Sequence, residues 1–287
     1  MINYKGKIIV IAGPTASGKS DIATKLAKDI DGYILNGDSR QIYKHLDIGT
    51  AKPTKKEIED TCVDHFLYDF VDPKEHFTLF EYQKRVQSIL DTQNSIPILT
   101  GGTGLYIDSI VFNYDLSENN IKEDISSLSL EQLQQMAKEY LPEMTESDRQ
   151  NKHRLIRVIQ REGLGKKKGK DLNHIYFVID IPKEELRERI DERIERMFED
   201  GLLEENKKLL SMGYTYEDKG MNSIGYKEFK EYFEKQITLD EVKENIKRNT
   251  YSYAKRQRTW FRRNKNAIWT NNYDNILDLA SNFITKE

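Results

Sequence analysis

Short apolar runs alternate with amphipathic stretches over the first hundred residues of the chain. The runs at residues 7–12, 33–36 and 96–100 predict buried strands. The stretches at residues 20–30 and 79–92, which lie between these runs, carry apolar residues at helical spacing. The order strand, glycine loop, helix and strand is typical of a βαβ unit. The first glycine loop, residues 13–20, also has the P-loop spacing G-x-x-x-x-G-K-[ST]. Pattern and loop together predict an α/β fold, a P-loop NTPase-like parallel sheet flanked by helices.

The rest of the chain adds one strand, several helices and one segment of a different kind. Residues 175–179 form a fourth apolar run, and an amphipathic helix beginning near Lys183 follows it up to a stop signal at Gly201. From Leu202 onward the pattern predicts helices alone. Residues 114–150 lack a strand pattern and carry apolar residues at the spacing of one or two small helices.

We interpret this last segment as an insertion that stands off the sheet. The predicted domains are therefore a P-loop core, residues 1–112 and 157–287, which ends in basic helices, and a small helical insertion domain, residues 113–156.

Composition narrows the class of protein. Charged residues make up 32% of the chain, above the ~25% of an average soluble domain. No apolar run approaches the ~20 residues that a membrane-spanning helix needs, and the polar N-terminus lacks the apolar region of a signal peptide. Cys62 is the only cysteine, which excludes an internal disulfide and a zinc site built from cysteines. We therefore expect a cytoplasmic protein without a membrane partner, and a monomer.

The most specific motif is Gly-Pro-Thr-Ala-Ser-Gly-Lys-Ser at residues 13–20, which satisfies G-x-x-x-x-G-K-[ST] directly between a predicted strand and a predicted helix. Backbone N–H groups of such a loop converge on phosphate oxygens, and the helix N-terminus adds about +0.5 of a charge. Lys19 supplies a full positive charge, and Ser20 offers a hydroxyl to Mg²⁺, the expected cofactor. The predicted diphosphate-binding residues are Gly13, Thr15, Ala16, Ser17, Gly18, Lys19 and Ser20.

The P-loop predicts a diphosphate ligand and leaves the rest of that ligand open. Hydrolysis of ATP or GTP requires an acidic residue at the end of an apolar strand, where it helps to hold Mg²⁺. No run of four apolar residues in this chain leads into an Asp-Glu pair, and the nearest candidate is Asp38. The sequence therefore disfavours a motor-type ATPase.

A polar loop follows the second predicted strand. It places Asp38, Ser39, Arg40 and Gln41 at the carboxyl end of that strand, where open α/β sheets bind ligands. Asp38 is then positioned as a general base, and Gln41 is suited to reading the edge of a nucleobase. The alternative is that Asp38 only caps a helix.

A glycine-rich loop, residues 100–106, follows the third predicted strand. Three glycines surround Thr103, which suggests a close approach of the backbone to a ligand, with Thr103 pointing into the same cleft as Asp38. A plain turn is the alternative for this loop taken alone. Because three such loops share one edge of one sheet, we expect them to form one binding site.

Basic residues concentrate near the C-terminus although the net charge is −3. Between Ile246 and Trp269 there are eight basic residues and no acidic one. Helical spacing places many of them in one row, whereas Ile246, Tyr253 and Trp260 form an apolar row that can pack on the core. Surface helices normally interleave both signs of charge, so the row favours an RNA backbone over a merely solvated face. We call this row the positive stripe; it comprises Arg248, Lys255, Arg256, Arg262 and Arg263.

Seven segments, in this order, resemble the bacterial tRNA dimethylallyltransferases, and the resemblance spans nearly the whole chain. They are residues 13–20, 38–43, 46–53, 101–106, 201–205, 224–228 and 255–262. Enzymes of this family transfer a dimethylallyl group from dimethylallyl diphosphate to N6 of the adenosine just 3′ of the anticodon, with Mg²⁺. Their P-loop holds that diphosphate, so an ATP-binding label is misleading for them.

The resemblance implies a role for each matching residue. Asp38 accepts the N6 proton, Lys19 and Thr15 hold the diphosphate, Ser20 helps to place Mg²⁺, and Thr103 addresses the bridging oxygen of the leaving group. The anticodon stem-loop of tRNA is the implied partner. The implied tRNA contacts are Asp38, Ser39, Arg40, Gln41, Thr103, Arg154, Arg157, Lys255, Arg256, Arg258 and Arg262.

The chain departs from the family pattern at two places, a short insertion and Asn222, where many relatives carry Arg or Gln. Three alternatives remain open. A prenyltransferase acting on free adenine nucleotides would not need the positive stripe. A P-loop small-molecule kinase would need ATP, and a non-catalytic RNA-binding module would leave the P-loop, Asp38 and Thr103 unexplained.

Overall fold

Parallel strands form a sheet that carries helices on both faces. The computed structural model describes residues 1–116, 125, 127–160 (without the side chain of residue 160) and 169–286. Within these residues, the strand order across the sheet is β3-β2-β4-β1-β5-β6, and every pairing is parallel. The strands are β1 (Lys7–Ala12), β2 (Gly32–Asn36), β3 (His65–Phe66), β4 (Ile96–Gly101), β5 (Asn173–Ile179) and β6 (Ile268–Thr270).

The α-helices are α1 (Lys19–Asp29), α2 (Lys55–Thr61), α3 (Leu79–Thr92), α4 (Gly104–Val111), α5 (Leu130–Met136), α6 (Glu146–Arg149), α7 (Lys152–Gln160), α8 (Lys183–Glu199), α9 (Leu202–Ser211), α10 (Lys230–Phe233), α11 (Leu239–Phe261) and α12 (Tyr273–Thr285). None of them, in the part of the chain that the structure describes, is both long and apolar enough to cross a membrane.

The central strand β1 explains why both faces of the sheet are covered. Ile9 and Ile11 are fully buried in one apolar cluster, which includes residues of α1, α8, α11 and α12. Ile8 and Val10 are equally buried in a second cluster, which includes residues of α3 and α4. Successive residues of a strand point to opposite faces, so a continuous apolar run is what a sheet buried on both faces requires. The predicted α/β fold class is confirmed.

Two short strands at the edges of the sheet were not predicted. β6 pairs with β5, with Phe177 opposite Ile268, so the expectation of helices alone after Leu202 was wrong. β3 has only two residues and pairs with β2. Runs of two or three residues are too short to show the period-two alternation by which a strand is recognised.

The chain divides into two compact units. The core unit comprises Ile2–Asn113 and Lys170–Glu287, and the insertion unit comprises Tyr114–Gly169 together with Met1. The predicted insertion domain ends at residue 156, which lies inside α7. That helix stays whole within the insertion unit because Leu155 and Val158 pack with Leu133 in the unit's own apolar cluster.

Helix α11 carries the basic segment. It begins at a capping box, in which Thr238 accepts from the backbone N–H of Glu241 and the Glu241 side chain accepts from that of Thr238. Ile246 and Phe261 are buried to 1% exposure, which fixes one face of the helix on the core unit. The opposite face of the helix is exposed and carries basic residues.

Candidate active site

A cleft of about 820 Å³ lies at the carboxyl ends of β1, β2 and β4. Lys19 and Ser20, from the loop after β1, line the cleft together with Asp38 and Gln41, from the loop after β2. The carboxyl ends of parallel strands meet at one edge of a sheet, which is why residues so far apart in sequence share this space. Thr15, Ala16 and Gly18 line it as well.

The P-loop departs from regular backbone at two residues. Ala16 has φ 61° and Gly18 has φ 79°, and α1 begins directly after Gly18. The left-handed region costs a residue with a Cβ about 1–2 kcal/mol, so the conformation of Ala16 has to be held by its surroundings. Ser17 is buried, and its hydroxyl has no hydrogen-bond partner among the described residues. A buried polar group of this kind is available to a phosphate oxygen.

Lys19 lies between charges of both signs. Its ammonium group donates to the Pro14 carbonyl at 3.2 Å. The pKa of Lys19 is lowered to about 8. Burial is the largest cause; the charge of Asp38 acts against it, and the charge of Arg193 acts in the same direction as burial. The pKa of Arg193 is itself lowered by burial and by Arg196. An anionic ligand would relieve this repulsion and favour the charged form of Lys19.

Arg193 was missed in the sequence analysis. It lines the cleft from α8, and Arg196 lines the cleft one turn further along that helix. Arg189 precedes Arg193 by four residues, and its guanidinium lies 3.7 Å from where a Cβ of Gly18 would be. The spacing of these three arginines places them on one helix face, a signal present in the sequence. Only the fold reveals that this face meets the P-loop.

Asp38 shapes a turn and keeps one carboxylate oxygen free of protein partners. Its Oδ1 accepts from the Arg40 backbone N–H at 2.8 Å, and its own N–H donates to Asn36 Oδ1 at 2.9 Å. No helix begins here, so the alternative that Asp38 caps a helix was wrong. Among the described residues, no hydrogen bond to Oδ2 is present. That oxygen can accept a proton from a substrate.

Thr103 is placed beside the Asp38 loop and is not among the residues that line the cleft. Its Oγ1 accepts from the Ser39 backbone N–H at 3.0 Å and lies 3.2 Å from Ser39 Oγ. Tyr253, from α11, lies beside the side chains of Thr103 and Gln257, and burial and the charge of Asp38 raise its pKa. Thr103 therefore belongs to a polar cluster that connects the Asp38 loop to α11.

The three glycines around Thr103 have a different purpose from the predicted one. We expected them to allow the close approach of a ligand, and the neighbours that the structure shows are parts of the protein. Each makes room for another part of the protein, because an added Cβ would collide with it. The atoms that an added Cβ would meet are the Gly37 carbonyl carbon at Gly101, Gln257 Nε2 at Gly102 and Trp260 Cδ1 at Gly104.

Gln257 connects two of the site loops from the buried face of α11. Its Oε1 accepts from the Thr15 backbone N–H at 2.8 Å, and its Nε2 donates to the Gly102 carbonyl at 2.8 Å. The side chain is 4% exposed. A carboxamide is the group that accepts and donates at adjacent atoms, which explains a glutamine at this position. Gln257 was not predicted from the sequence to belong to the site.

The remaining polar residues after β2 are engaged within the protein. The guanidinium of Arg40 donates to the Lys219 carbonyl at 3.2 Å. The amide nitrogen of Gln41 donates to the carbonyls of Thr50 and Ala51 at 3.1 and 2.9 Å. Both N–H groups of Gln41 are thereby used, so only its oxygen is left for reading a base edge.

The positive stripe is exposed along α11 and the residues that follow it. Lys255 and Arg256 are exposed about two turns before Arg262, whose guanidinium lies 6.0 Å from the centroid of the Trp269 ring. Arg263 lies 4.9 Å from the centroid of the Trp260 ring. The stripe residues Arg248, Lys255, Arg256, Arg262 and Arg263 are all exposed.

Two basic residues of the same segment are instead paired inside the core unit. Arg258 donates to the Ile181 carbonyl at 2.6 Å and to Asp180 at 3.0 Å. Lys247 pairs with Glu195 of α8 at 2.9 Å. Arg258 was expected to contact tRNA, and these partners give it a structural role.

In the insertion unit, Arg154 and Arg157 are exposed on α7. Arg154 forms an ion pair with Asp148 at 2.8 Å. In the core unit, Asn222 is exposed, and its backbone N–H donates to the Asp218 carbonyl.

Comparison with known proteins is consistent with this geometry. The family model described as IPP transferase matches residues 41–264, and the model described as Isopentenyl transferase matches residues 6–69. A tRNA dimethylallyltransferase of Clostridioides difficile (strain 630) is 37% identical over 96% of both chains.

Solved structures give the same result. The tRNA isopentenylpyrophosphate transferase of Bacillus halodurans aligns with a TM-score of 0.75 and 31% identity, over 98% of this chain and 97% of that one. The tRNA isopentenylpyrophosphate transferase of Staphylococcus epidermidis aligns with a TM-score of 0.73 and 31% identity, over 99% and 100%. A eukaryotic dimethylallyltransferase at 23% identity shares the fold, with a TM-score of 0.82 over 98% of this chain and 80% of its own. The chain belongs to the IPP transferase family.

Proposed function

We propose that the protein transfers a dimethylallyl group from dimethylallyl diphosphate to N6 of the adenosine 3′-adjacent to the anticodon of tRNA. The observation that carries the proposal is the single cleft that a diphosphate loop shares with Asp38, beside a helix whose outer face is basic. A small-molecule kinase has no use for the positive stripe. A free-nucleotide prenyltransferase has no use for it either.

The donor half of the reaction needs positive charge more than a strong base. As the bond between the allylic carbon and the bridging oxygen breaks, negative charge develops on the departing diphosphate. Lys19, with Arg193 beside it, faces that charge, and the buried hydroxyl of Ser17 can donate to a phosphate oxygen. The Thr15 backbone N–H already donates to Gln257 Oε1. The Thr15 hydroxyl is therefore the group by which this residue binds the donor.

Mg²⁺ fits the donor set at this site. The described residues hold no cluster of three or more His, Cys, Asp or Glu side chains that could cage a metal ion. Mg²⁺ characteristically keeps several waters and binds substrate phosphates with few protein ligands. Ser20, which is exposed and lines the cleft, would be its protein ligand. When bound, the ion neutralises charge on the diphosphate.

The acceptor half places the adenine amine at Asp38. The new bond forms between N6 and the allylic carbon, and the displaced N6 proton passes to Asp38 Oδ2, whose sister oxygen is held by the Arg40 amide. An aromatic amine is a weak nucleophile, so a positioned carboxylate assists by accepting this proton. Thr103 and Tyr253 support the loop that carries Asp38.

The RNA contacts are assigned to the positive stripe and to Arg154 and Arg157 of the insertion unit. Each phosphate that a basic residue neutralises releases counterions, which supplies affinity without sequence specificity. The exposed face of α11 carries the stripe, whereas its inner face reaches the P-loop through Gln257. One helix therefore serves both the acceptor RNA and the donor loop.

The deciding experiment incubates the protein with radiolabelled dimethylallyl diphosphate and Mg²⁺, with unmodified tRNA or AMP as acceptor. We expect label in tRNA, located by nuclease digestion to the adenosine 3′ of the anticodon, and little label in AMP. We also expect negligible ATP hydrolysis. Preferential labelling of AMP would establish the free-nucleotide alternative, and tRNA-stimulated ATP turnover without transfer would establish an ATPase.

A further inference from the structure

One wall of the donor cleft is an irregular loop, residues 46–53, which we call the cleft loop. It connects the segment after Asp38 to the start of α2 and has no regular secondary structure. The residues of this loop that line the cleft, together with the P-loop, are Asp47, Ile48, Thr50, Ala51, Lys52 and Pro53.

The cleft loop is bound by a single carboxylate from α9. Glu205 accepts from three successive backbone N–H groups, those of Asp47 at 3.3 Å, Ile48 at 2.9 Å and Gly49 at 3.3 Å. Hydrogen bonds to an ionised acceptor are roughly twice as strong as neutral ones. The charge of Glu205 thus holds this loop much as a bound anion holds a P-loop.

A buried tyrosine completes the attachment. The Tyr226 hydroxyl donates to Glu205 Oε1 at 2.6 Å and accepts from the Gly49 N–H at 3.1 Å. An added Cβ on Gly49 would lie 2.6 Å from the Tyr226 ring, so only glycine fits between the ring and the loop. Tyr226 is fully buried, which leaves the carboxylate little freedom to move.

The far end of the cleft loop is held by different partners. The Lys52 ammonium group donates to Asp47, to Asp69 and to the Tyr43 carbonyl at 2.6–2.8 Å. Gln41 holds the carbonyls of Thr50 and Ala51. Glu205 therefore holds the backbone of the first part of the loop, residues 47–49, to which the Lys52 ammonium group adds only a contact with the Asp47 side chain.

The first part of the loop contributes apolar surface to the cleft through Ile48. Ile48 lines the cleft together with Ile34, Ile58 and Met197, whereas Lys19 and Arg193 line its polar side. We propose that Glu205 is a positioning residue that sets the distance between this apolar wall and the P-loop, and thereby the affinity and tail selectivity for the prenyl diphosphate. The identity of the donor rests on the proposed function.

Because Glu205 does not line the cleft, its removal should act through the loop and not on the chemistry. In Glu205→Gln one carboxylate oxygen is replaced by an NH₂ group, which faces backbone N–H groups that also donate. We expect the donor KM to rise roughly tenfold, within the ~10²-fold that a displacement of about 1 Å can cost. The KM for tRNA should stay unchanged. Discrimination between dimethylallyl and geranyl diphosphate should fall, because a displaced wall excludes the longer tail less well.

The matched control is Glu204→Gln, the neighbouring glutamate, whose side chain is 68% exposed and pairs only with Lys207 in the described part of the chain. It removes the same charge from the same helix. It should leave the KM for the donor, the KM for tRNA and the discrimination between dimethylallyl and geranyl diphosphate as in the wild type. A role limited to stability would lower the melting temperature and the active fraction of Glu205→Gln without changing the donor KM, and that result overturns the proposal.

Two further measurements keep the test decisive. If Glu205→Gln fails to fold, Tyr226→Phe is the second variant. It keeps the three hydrogen bonds from the loop to Glu205 but removes the hydroxyl that fixes the carboxylate. It should also raise the donor KM, by a smaller factor. An unchanged donor KM and an unchanged discrimination between dimethylallyl and geranyl diphosphate in that variant overturn the proposal. Binding of a non-reactive dimethylallyl thiodiphosphate needs no RNA, so the Glu205 effect stays measurable even if wild type fails to prenylate tRNA.

Discussion

Lys255 and Arg258 lie three residues apart on α11, and the structure places them in different surroundings. Lys255 is exposed and forms no ion pair among the described residues. The Arg258 side chain is 21% exposed and binds Asp180 and the Ile181 carbonyl. Replacing each by alanine therefore separates a contact to RNA from a contact within the protein.

For Lys255→Ala we expect a loss of RNA affinity that depends on salt. Neutralising one phosphate contributes about 0.9 to the slope of log K against log salt concentration, so the slope should become shallower by about that amount. The free energy of unfolding should change by no more than ~0.5 kcal/mol, as is usual for an exposed side chain.

For Arg258→Ala we expect the reverse. Its partner Asp180 is 46% exposed, so the ion pair contributes only about 1 kcal/mol after solvent screening. The buried Ile181 carbonyl loses its donor as well, which costs about 1–3 kcal/mol. Together these contributions predict a destabilisation of roughly 2–4 kcal/mol, with the salt slope unchanged.

The assay is fluorescence anisotropy of a labelled anticodon stem-loop, titrated at KCl concentrations from about 50 to 200 mM, the range over which phosphate contacts dominate. Thermal melts of both variants accompany it. The assignment is refuted if Arg258→Ala flattens the salt dependence by one contact while its melting temperature stays at the wild-type value. Unchanged slopes in Lys255→Ala and Arg262→Ala would mean that the positive stripe is only solvated surface.

Three further predictions concern the cleft. Asp38→Asn keeps the turn but cannot accept a proton, so kcat should fall about 10²–10⁴-fold with donor affinity near wild type; unchanged turnover would show that Asp38 only shapes its loop. Because the pKa of Lys19 is about 8, its charged form is lost as pH rises through that value, so the donor KM should rise above pH 8 while the tRNA KM does not. A flat donor profile would contradict this assignment. Gln257→Met leaves the Gly102 carbonyl without its donor, so it should cost about 1–3 kcal/mol of stability and raise the donor KM. Gln83→Met, which removes another buried amide, should cost stability alone.

The parts of the site that could be predicted from sequence are those that one short segment builds by itself. The P-loop is recognisable because glycines, a lysine and a serine have to follow a strand at fixed spacing. Asp38 could be placed because its position after an apolar run predicts the carboxyl end of a strand, and the structure has β2 ending at Asn36. In both cases the physical requirement is local, so the sequence carries it.

The residues that were missed act over long separations in sequence. Gln257 meets Thr15 across 242 positions, and Glu205 meets Ile48 across 157. Nothing in the residues near Glu205 indicates that its carboxylate binds three backbone N–H groups. Such partners are fixed only when the sheet order brings α9 and α11 to the same edge of the core unit.

The glycine-rich loop shows that the need for a residue type can be inferred correctly while its cause is not. A glycine is required at residues 101, 102 and 104, because a Cβ there would collide with neighbouring atoms. Whether that neighbour is a ligand or another part of the chain is decided by tertiary packing. At Gly102 it is Gln257, and at Gly104 it is Trp260. Both belong to α11, so these glycines bring the basic helix against the loops of the cleft, and those loops depend on α11 through packing as well as through hydrogen bonds.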